Sequence, residues 1–416
     1  MTLQDRELSM KNCMRCSFCK WVPSMNTEEF GHICPSIRYG KFHSYSGGGK
    51  VITAFGLMHD VVEYDDKMLD TVYACSACGG CGTGCSANLS DLVEPMETIY
   101  ELRARIFKDG KLPAALSALL DNLKSTGNPQ GSTQDRGVWA TGLSAEPSTG
   151  DMILVVGEAA FEQSQWPQLT SLVGLLDAAK ADYAILGANE VDCGGLAYEL
   201  GDVAQAKALA TDLVGRIKAS GARRVLTQSD AVFMALRNYA PRLGVDLAGI
   251  EVIHASEWMA ENAKPKAKST ETVTYHDTCK LGRLSEPYVP WNGEHETVMG
   301  SIWVREQRDV KHRFGNDGVY DAPRKVVEAT GAKIVEMPRL RETSYCCGLN
   351  AGAKDFNPDF AASAAKDRLT EALSTGAKTM VTSCADCACH LQDVADKEGM
   401  DIKVSSLLEF TQAPGE

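Results

Sequence analysis

Five cysteines in the last third of the 416-residue sequence stand in an order that packing does not explain: Cys279, the vicinal pair Cys346 and Cys347 followed by Gly348, then Cys384 and Cys387. Successive side chains of a strand leave on opposite faces, so two neighbouring cysteines cannot enter one apolar core together. They suit a tight loop around a centre that takes thiolates from several directions, and Gly348 supplies the backbone freedom for it. Thiolates drawn from three segments point to an iron-sulfur cluster or to zinc. A closed zinc site and a cubane cluster each take four ligands, so five favour a less common, cysteine-rich cluster.

A second group stands near the other end. Cys13, Cys16 and Cys19 form a CxxCxxC triplet, with Cys34 before Pro35; Cys75, Cys78 and Cys81 repeat the triplet, with Cys85 four positions on. Two triplets, each with a fourth cysteine, are the arithmetic of two 4Fe-4S cubanes, whose fourth ligand normally comes from beside the other triplet. The spacing assigns Cys13, Cys16, Cys19 and Cys85 to one cubane, and Cys75, Cys78, Cys81 and Cys34 to the other. Zinc is the weaker alternative, since zinc motifs pair CxxC with CxxC. Gly79, Gly80, Gly82 and Gly84 let backbone N–H groups turn toward cluster sulfurs.

The elements that must position these cysteines follow from apolar spacing. Helices are predicted over Val51 to Val62 and Leu92 to Phe107, making residues 1–125 an all-helical, two-cluster ferredoxin-like domain. Residues 126–150, rich in Gly, Ser, Thr and Pro, read as a linker lying against the protein, with Trp139 as an anchor onto a neighbouring domain. Over 151–265, strands at Met152 to Gly157, Tyr183 to Leu186 and Arg223 to Thr227 alternate with helical patterns, which predicts an α/β unit with a largely parallel sheet. Residues 266–416 repeat the plan, with strands at Thr272 to Tyr275, Lys333 to Glu336 and Lys378 to Thr382. Each ligand group then sits just past a strand's carboxyl end, where open α/β sheets hold ligands. The fold class is thus α+β and multidomain.

The two halves align as a repeat. Thr227 to Val232 matches Thr382 to Cys387, and Asp192-Cys193-Gly194 matches Cys346-Cys347-Gly348. Four of the five ligand positions in the first half are Glu158, Asp192, Ser229 and Val232. Cys193 alone remains, and a lone cysteine reads as a small buried apolar residue. The first half is therefore expected to keep the fold without a cluster. A surplus near Pro287 to Gly315, with Trp291 and Trp303, reads as a partner-facing or cluster-covering insertion or as a plain surface excursion.

Composition narrows the class. Lys and Arg number 42 against 55 Asp and Glu, a formal net charge of −13. So acidic a chain is a poor candidate for nucleic-acid binding, which runs on phosphate neutralisation. Fifteen cysteines fall well below the density of a disulfide scaffold. No apolar run is long enough to span a bilayer and no signal peptide is visible, so a cytoplasmic protein is expected, associated with a membrane only through a partner. No Gly-rich dinucleotide fingerprint follows a strand, so no FAD or NAD is expected in this chain.

The strings Tyr275-His276-Asp277-Thr278-Cys279-Lys280-Leu281-Gly282-Arg283, Ser344-Tyr345-Cys346-Cys347-Gly348 and Val381-Thr382-Ser383-Cys384-Ala385-Asp386-Cys387 resemble the CCG domain of the B- and D-type subunits of heterodisulfide reductase. The resemblance implies a noncubane 4Fe-4S cluster on Cys279, Cys346, Cys347, Cys384 and Cys387, with 151–265 a degenerate, cluster-free CCG domain. Thr278 and Lys280 depart from the family's usual Pro and His and alter the cluster's polar surroundings, hence its potential. The N-terminal domain is similar to the C-type ferredoxin of that family, fused in the order found in its D-type members. Ser44 to Lys50 and Leu284 to Trp291 resemble D-type members of class II benzoyl-CoA reductase complexes; related proteins occur in membrane redox complexes of sulfate reducers. The implied function is an electron-transfer subunit of a heterodisulfide-reductase-like oxidoreductase complex, more a relay than the sole catalytic subunit. Implied partners are a flavin-bearing protein like the A-type member of heterodisulfide reductase, an aryl-CoA reductase core or a membrane cytochrome.

Alternatives stay open on the sequence: a disulfide or thiol reductase acting at the noncubane cluster, the iron-sulfur subunit of a 2-hydroxyacid oxidase, and a zinc-bound scaffold. A missing second noncubane cluster counts against heterodisulfide cleavage in this chain. His276 reads either as a donor to a cluster sulfur, as a proton relay or as a residue fixing the loop, and Asp277 likewise. Cys389 and His390 are left out of the ligand set. Lys280 beside Cys279 favours a negatively charged cluster.

Overall fold

Ser46 starts the helix on which the N-terminal cysteines converge, its Oγ accepting a hydrogen bond from the Gly49 N–H at 3.0 Å as an N-cap does. The helix runs Gly47–Met58, earlier than the apolar spacing suggests, because its first turn is three glycines, which carry no periodicity and low helix propensity. Packing needs them there. A Cβ on Gly49 would lie 2.2 Å from the His43 carbonyl oxygen, and one on Gly47 would lie 2.5 Å from Cβ of Cys81. In this computed structural model the described residues are 2–23, 27–89, 93–144, 150–263, 268–289, 294–298, 301–305 and 315–412.

Around that helix lie Pro35–Gly40, Asp66–Tyr73, Gly80–Leu89, Pro95–Lys108 and Ala114–Thr126. Proline in the first turn opens the Pro35 and Pro95 helices, where its missing N–H costs no bond. Pro95 thus sets a start later than the predicted Leu92, which lies outside the described residues. The expected linker is packed rather than loose: Asn128 is wholly buried, as are Arg136 and Trp139, and Trp139 joins the core beneath the first sheet.

Two four-stranded parallel sheets follow, with one plan. Strands β1 (Met152–Leu154), β2 (Tyr183–Ile185), β3 (Arg224–Thr227) and β4 (Glu251–His254) lie in the order β2-β1-β3-β4. Strands β5 (Thr272–His276), β8 (Lys333–Ile334), β9 (Thr379–Thr382) and β10 (Lys403–Ser406) lie in the order β10-β9-β5-β8. Numbered within each half, both read second, first, third, fourth when the second sheet is taken from its other edge by chain position of β5 and its neighbours: each half places its first strand inside the sheet, beside strands that come later in the chain. The shared apolar core runs through both sheets, from Leu154 and Leu226 to Val273, Tyr275 and Val381. Another cluster joins Val51, Val72 and Leu102 of the helical region to Leu200, Leu213 and Val225 of the first half. An antiparallel hairpin, β6 (Glu294–Val298) with β7 (Ser301–Arg305), lies inside the expected insertion; Trp291 lies outside the described residues, and Trp303 is on β7. No helix among the described residues is long and apolar enough to cross a membrane.

Candidate metal centres

All fifteen cysteines are free of disulfides, and thirteen gather at three places. Cys13, Cys16, Cys19 and Cys85 line one small cavity together with His43 and Gly48. The Gly48 N–H donates to Cys19 Sγ at 3.1 Å, the hydrogen bond to sulfur that raises a cluster's potential. A Cβ on Gly84 would lie 2.7 Å from the Phe18 carbonyl oxygen, so the helix bearing Cys85 closes on the first triplet only through a glycine.

Cys34, Cys75, Cys78 and Cys81 line a second small cavity with Lys50 and Ser36. Each triplet is thus joined by the cysteine that sequence spacing associates with the other. Burial pushes the Cys34 thiol up to about 12 although the Lys50 charge opposes it. Lys50 is 1% exposed; its Nζ donates to Ser36 Oγ at 3.0 Å and to the Tyr45 carbonyl. A buried cation here offsets charge on the second cysteine set. Its sequence signal, a lysine three residues into an apolar helix, is weak.

The third place joins Cys279, Cys346, Cys347, Cys384 and Cys387. Cys279 follows β5 and Cys384 follows β9, as expected of ligands past a strand's carboxyl end. The vicinal pair does not fit that rule, since β8 ends at Ile334 and a loop with a turn at Arg341–Thr343 intervenes. Cys384 Sγ caps the helix Ala385–Glu398 by accepting from the Cys387 N–H at 3.4 Å. Cys347 and Cys387 sulfurs lie 3.2 Å apart. Gly348 has φ 93°, and a Cβ there would lie 2.7 Å from that of Ala364, so only glycine passes. Hydrogen bonds from Cys346 and Cys387, then His276, hold the Cys347 thiol well below its usual range, while the thiols of Cys346 and Cys387 are pushed up by the same kind of contacts.

The surroundings of this site are built from buried ions. Arg368 Nε donates to His276 Nδ1 at 2.9 Å. That leaves the ring proton on Nε2, and the histidine stands beside Cys347 and Cys387 with ligand atoms all within 4.8 Å, the orientation second-shell partners give a metal-site histidine. Asp277 faces away, taking both Arg324 Nη atoms at 2.7 and 2.8 Å and the Arg341 N–H at 2.7 Å, and so fixes the loop. Lys280 Nζ lies 3.1 Å from Glu199 of the first half, so its charge is shared rather than devoted to Cys279. Thr278 Oγ1 donates to Asp230, a bond proline at this position would not make. His390 Nε2 contacts the Ala361 carbonyl and Cys389 is exposed.

The second and third places touch. Ser76 Oγ, between Cys75 and Cys78 of the second set, lies 3.2 Å from Cys346 Sγ. Arg283 spans the joint, its Nε donating to the Cys78 carbonyl at 2.6 Å and Nη1 to the Glu342 and Ser344 carbonyls at 2.7 Å each. Nothing in the sequence marked the Ser76–Cys346 contact, which joins residues 270 positions apart.

In the first half the equivalent place holds an ion network. Ser229 Oγ accepts from the Val232 N–H at 3.3 Å, the role Cys384 plays for Cys387. Glu158 is pushed well up, by burial and then by Asp192. Arg136 lies 3.2 Å from Glu158 and 3.6 Å from Glu190, and donates to the Gly157 carbonyl at 3.0 Å. Cys193 is raised by burial, then by Asp192. Sequence reasoning missed Arg136 because it lies in a stretch whose composition marks a linker.

Residues 9–89 match the family model of a 4Fe-4S dicluster domain, and residues 308–392 that of the cysteine-rich CCG domain. The chain is 28% identical over 417 residues to the D subunit of the dihydromethanophenazine:CoB–CoM heterodisulfide reductase of Methanosarcina acetivorans, spanning 96% of this chain and 93% of that one. It is 28% identical to a probable membrane-anchored ferredoxin of Chromohalobacter salexigens over 79% of this chain, and 24% identical to an EtfAB:quinone oxidoreductase of Syntrophomonas wolfei over 83%; it spans only 46% and 48% of those longer proteins. A hypothetical protein from Helicobacter pylori has the same fold, with TM-score 0.52 and 11% identity, over 88% of this chain and 67% of that one.

Proposed function

We propose, from the premise that the chain is a homologue of the heterodisulfide reductase D subunit joining a 4Fe-4S dicluster domain to a CCG domain, that it is an electron-transfer subunit of a heterodisulfide-reductase-like oxidoreductase complex. In this reading Cys13, Cys16, Cys19 and Cys85 hold one cubane, Cys34, Cys75, Cys78 and Cys81 hold a second, and Cys279, Cys346, Cys347, Cys384 and Cys387 hold a noncubane 4Fe-4S cluster. Clusters so held supply reversible one-electron chemistry at potentials set by charge, hydrogen bonds and solvent. The chain falls into a ferredoxin-like domain (1–125), a connector (126–150), a cluster-free repeat (151–265) and a working repeat (266–416). It acts in the cytoplasm, or at a membrane held there by a partner, and exchanges electrons with other redox subunits: a flavin-bearing one, an aryl-CoA reductase core or a cytochrome.

The observation that carries the reading is the 3.2 Å contact between Ser76, which stands between two cysteines of the second set, and Cys346 of the third, which makes the two sets immediate neighbours. What the chain's residues do is hold these sets close, keep water from the inner two and donate hydrogen bonds to sulfur. Relay is favoured over thiol reduction at the third site by burial: Cys279, Cys346, Cys347 and Cys387 are each at most 5% exposed. The test is anaerobic purification with bound partners. Broad visible absorption bleached by dithionite, with redox subunits co-purifying, is expected; a colourless protein containing zinc would overturn the reading.

A further inference from the structure

The outer cysteine set is the one of the three with an exposed member, and its rim differs from the rest of the protein. Cys16 is exposed. Around it Met14 is 65% exposed, Phe18 40%, Trp21 37% and, beside the His43 that lines the same cavity, Phe42 70%. The other exposed large apolar side chains among the described residues are all valines. The exposed Phe and Trp rings among the described residues therefore all lie on the two segments that flank this site.

Charge sets the rim apart as well. Of the six Lys and Arg in residues 11–50, Lys50 is buried at the second cysteine set and Lys11 and Arg38 pair with Glu7 and Asp367, which leaves Arg15, Lys20 and Lys41 as the cations of the rim. Arg15 and Lys41 are exposed, and Lys20 and Arg15 lie near enough to His43 to depress its pKa, after burial. Apolar and aromatic groups interleaved with cations around an exposed thiol are the make-up of a protein-docking patch, with an aromatic anchor and a polar rim that steers approach.

We propose that this rim is the docking surface for a redox protein whose own electron carrier is ringed by carboxylates. The proposal rests on the reading of the outer cysteines as a cluster site and adds the chemistry of the partner. An acidic partner is favoured over a lipid surface because the cations surround a thiol of the cavity, the point a partner's carrier must approach closely for electron transfer. Met14, Phe18 and Phe42 would form the desolvated centre, with Arg15, Lys20 and Lys41 steering encounter. Electrostatic steering of this kind speeds association by roughly 10 to 1,000-fold and falls steeply with ionic strength.

The test uses the purified holoprotein and two protein probes, reduced flavodoxin as an acidic donor and oxidised cytochrome c as a basic acceptor, with a small neutral redox dye as control. In stopped flow at low salt, reduction by flavodoxin is expected to slow with added salt. It should fall about tenfold or more in the triple variant Arg15→Glu, Lys20→Glu, Lys41→Glu, and also fall in Phe42→Ser. Oxidation by cytochrome c should be faster in the triple variant than in the wild type. Dye kinetics and EPR spectra should not change, which shows that the clusters are intact. Flavodoxin rates within twofold of wild type in the triple variant, with dye kinetics normal, would overturn the proposal. So would binding of the wild type to phosphatidylglycerol vesicles through these same residues with flavodoxin kinetics unaffected. A holoprotein that the dye cannot reduce at all would instead overturn the cluster reading beneath it.

Discussion

Arg283 sits where the second and third cysteine sets meet, 7% exposed, and its guanidinium is raised in pKa because the charges of Cys78, Cys279 and Cys346 outweigh the cost of burial. A cation there stabilises the reduced, more negative state of a cluster on either side. At about 6 Å and an effective dielectric near 20, one charge contributes about 2.8 kcal/mol. For a one-electron couple that is roughly 120 mV, since 59 mV is a tenfold change. Arg283→Met should therefore lower the potentials of both the second cubane and the noncubane cluster by something on the order of 100 mV, leaving the outer cubane where it was. Arg283→Lys keeps the charge but loses the fork that holds the Cys78, Glu342 and Ser344 carbonyls, so its shift should be a small fraction of that. The assay is an EPR-monitored redox titration of each holoprotein, with iron content and melting temperature as checks on folding. Equal shifts in the two variants, or a rise in either potential in Arg283→Met, would refute the reasoning.

Glu199→Gln should raise the potential of the C-terminal cluster by freeing Lys280, whereas Lys280→Met should lower it and also destabilise the fold by about 3–5 kcal/mol, because Glu199 is left buried without its cation; redox titration and chemical denaturation separate the two effects. Arg136→Met should cost about 3–5 kcal/mol by stranding Glu158 and Glu190, measured by denaturation, while iron content should stay at the wild-type value if the first half holds no cluster, as proposed. Burial pushes Glu101 up to about 7, above its ordinary 4.5. The folded state then binds more protons than the unfolded one between those values, so stability falls as pH rises from about 4.5 through about 7. Glu101→Gln should flatten that slope and melt higher than the wild type at pH 8, and an unchanged slope would remove Glu101 as its source.

The sets of cysteines were legible because metal ligation imposes short spacings and vicinal pairs that packing never needs. The repeat was legible too: Ser229 and Cys384 cap equivalent helices, and a cap is a local feature that survives the loss of its ligand role. What escaped were long-range polar partners. Arg136 looked like linker, yet it joins the ion network with Glu158 and Glu190 in the first half. Arg368 orients His276 from a helix 92 residues away, and Glu199 reaches Lys280 from the other repeat. None of these pairings has a period or a motif, since only the folded chain brings them together. The first turn of the Gly47–Met58 helix, predicted only from Val51, was missed for a different reason: glycine there serves close approach to Cys81, against its own propensity.

The allotment of thirteen thiols as four, four and five is tested most directly by iron and acid-labile sulfide counts on anaerobically purified protein, wild type beside Cys347→Ser. Three four-iron clusters give about twelve irons per chain, and the variant should fall to about eight while keeping the EPR signals of the two cubanes. A wild type near eight irons whose spectrum does not change on Cys347→Ser, or one holding zinc in place of iron at the C-terminal site, would contradict the account.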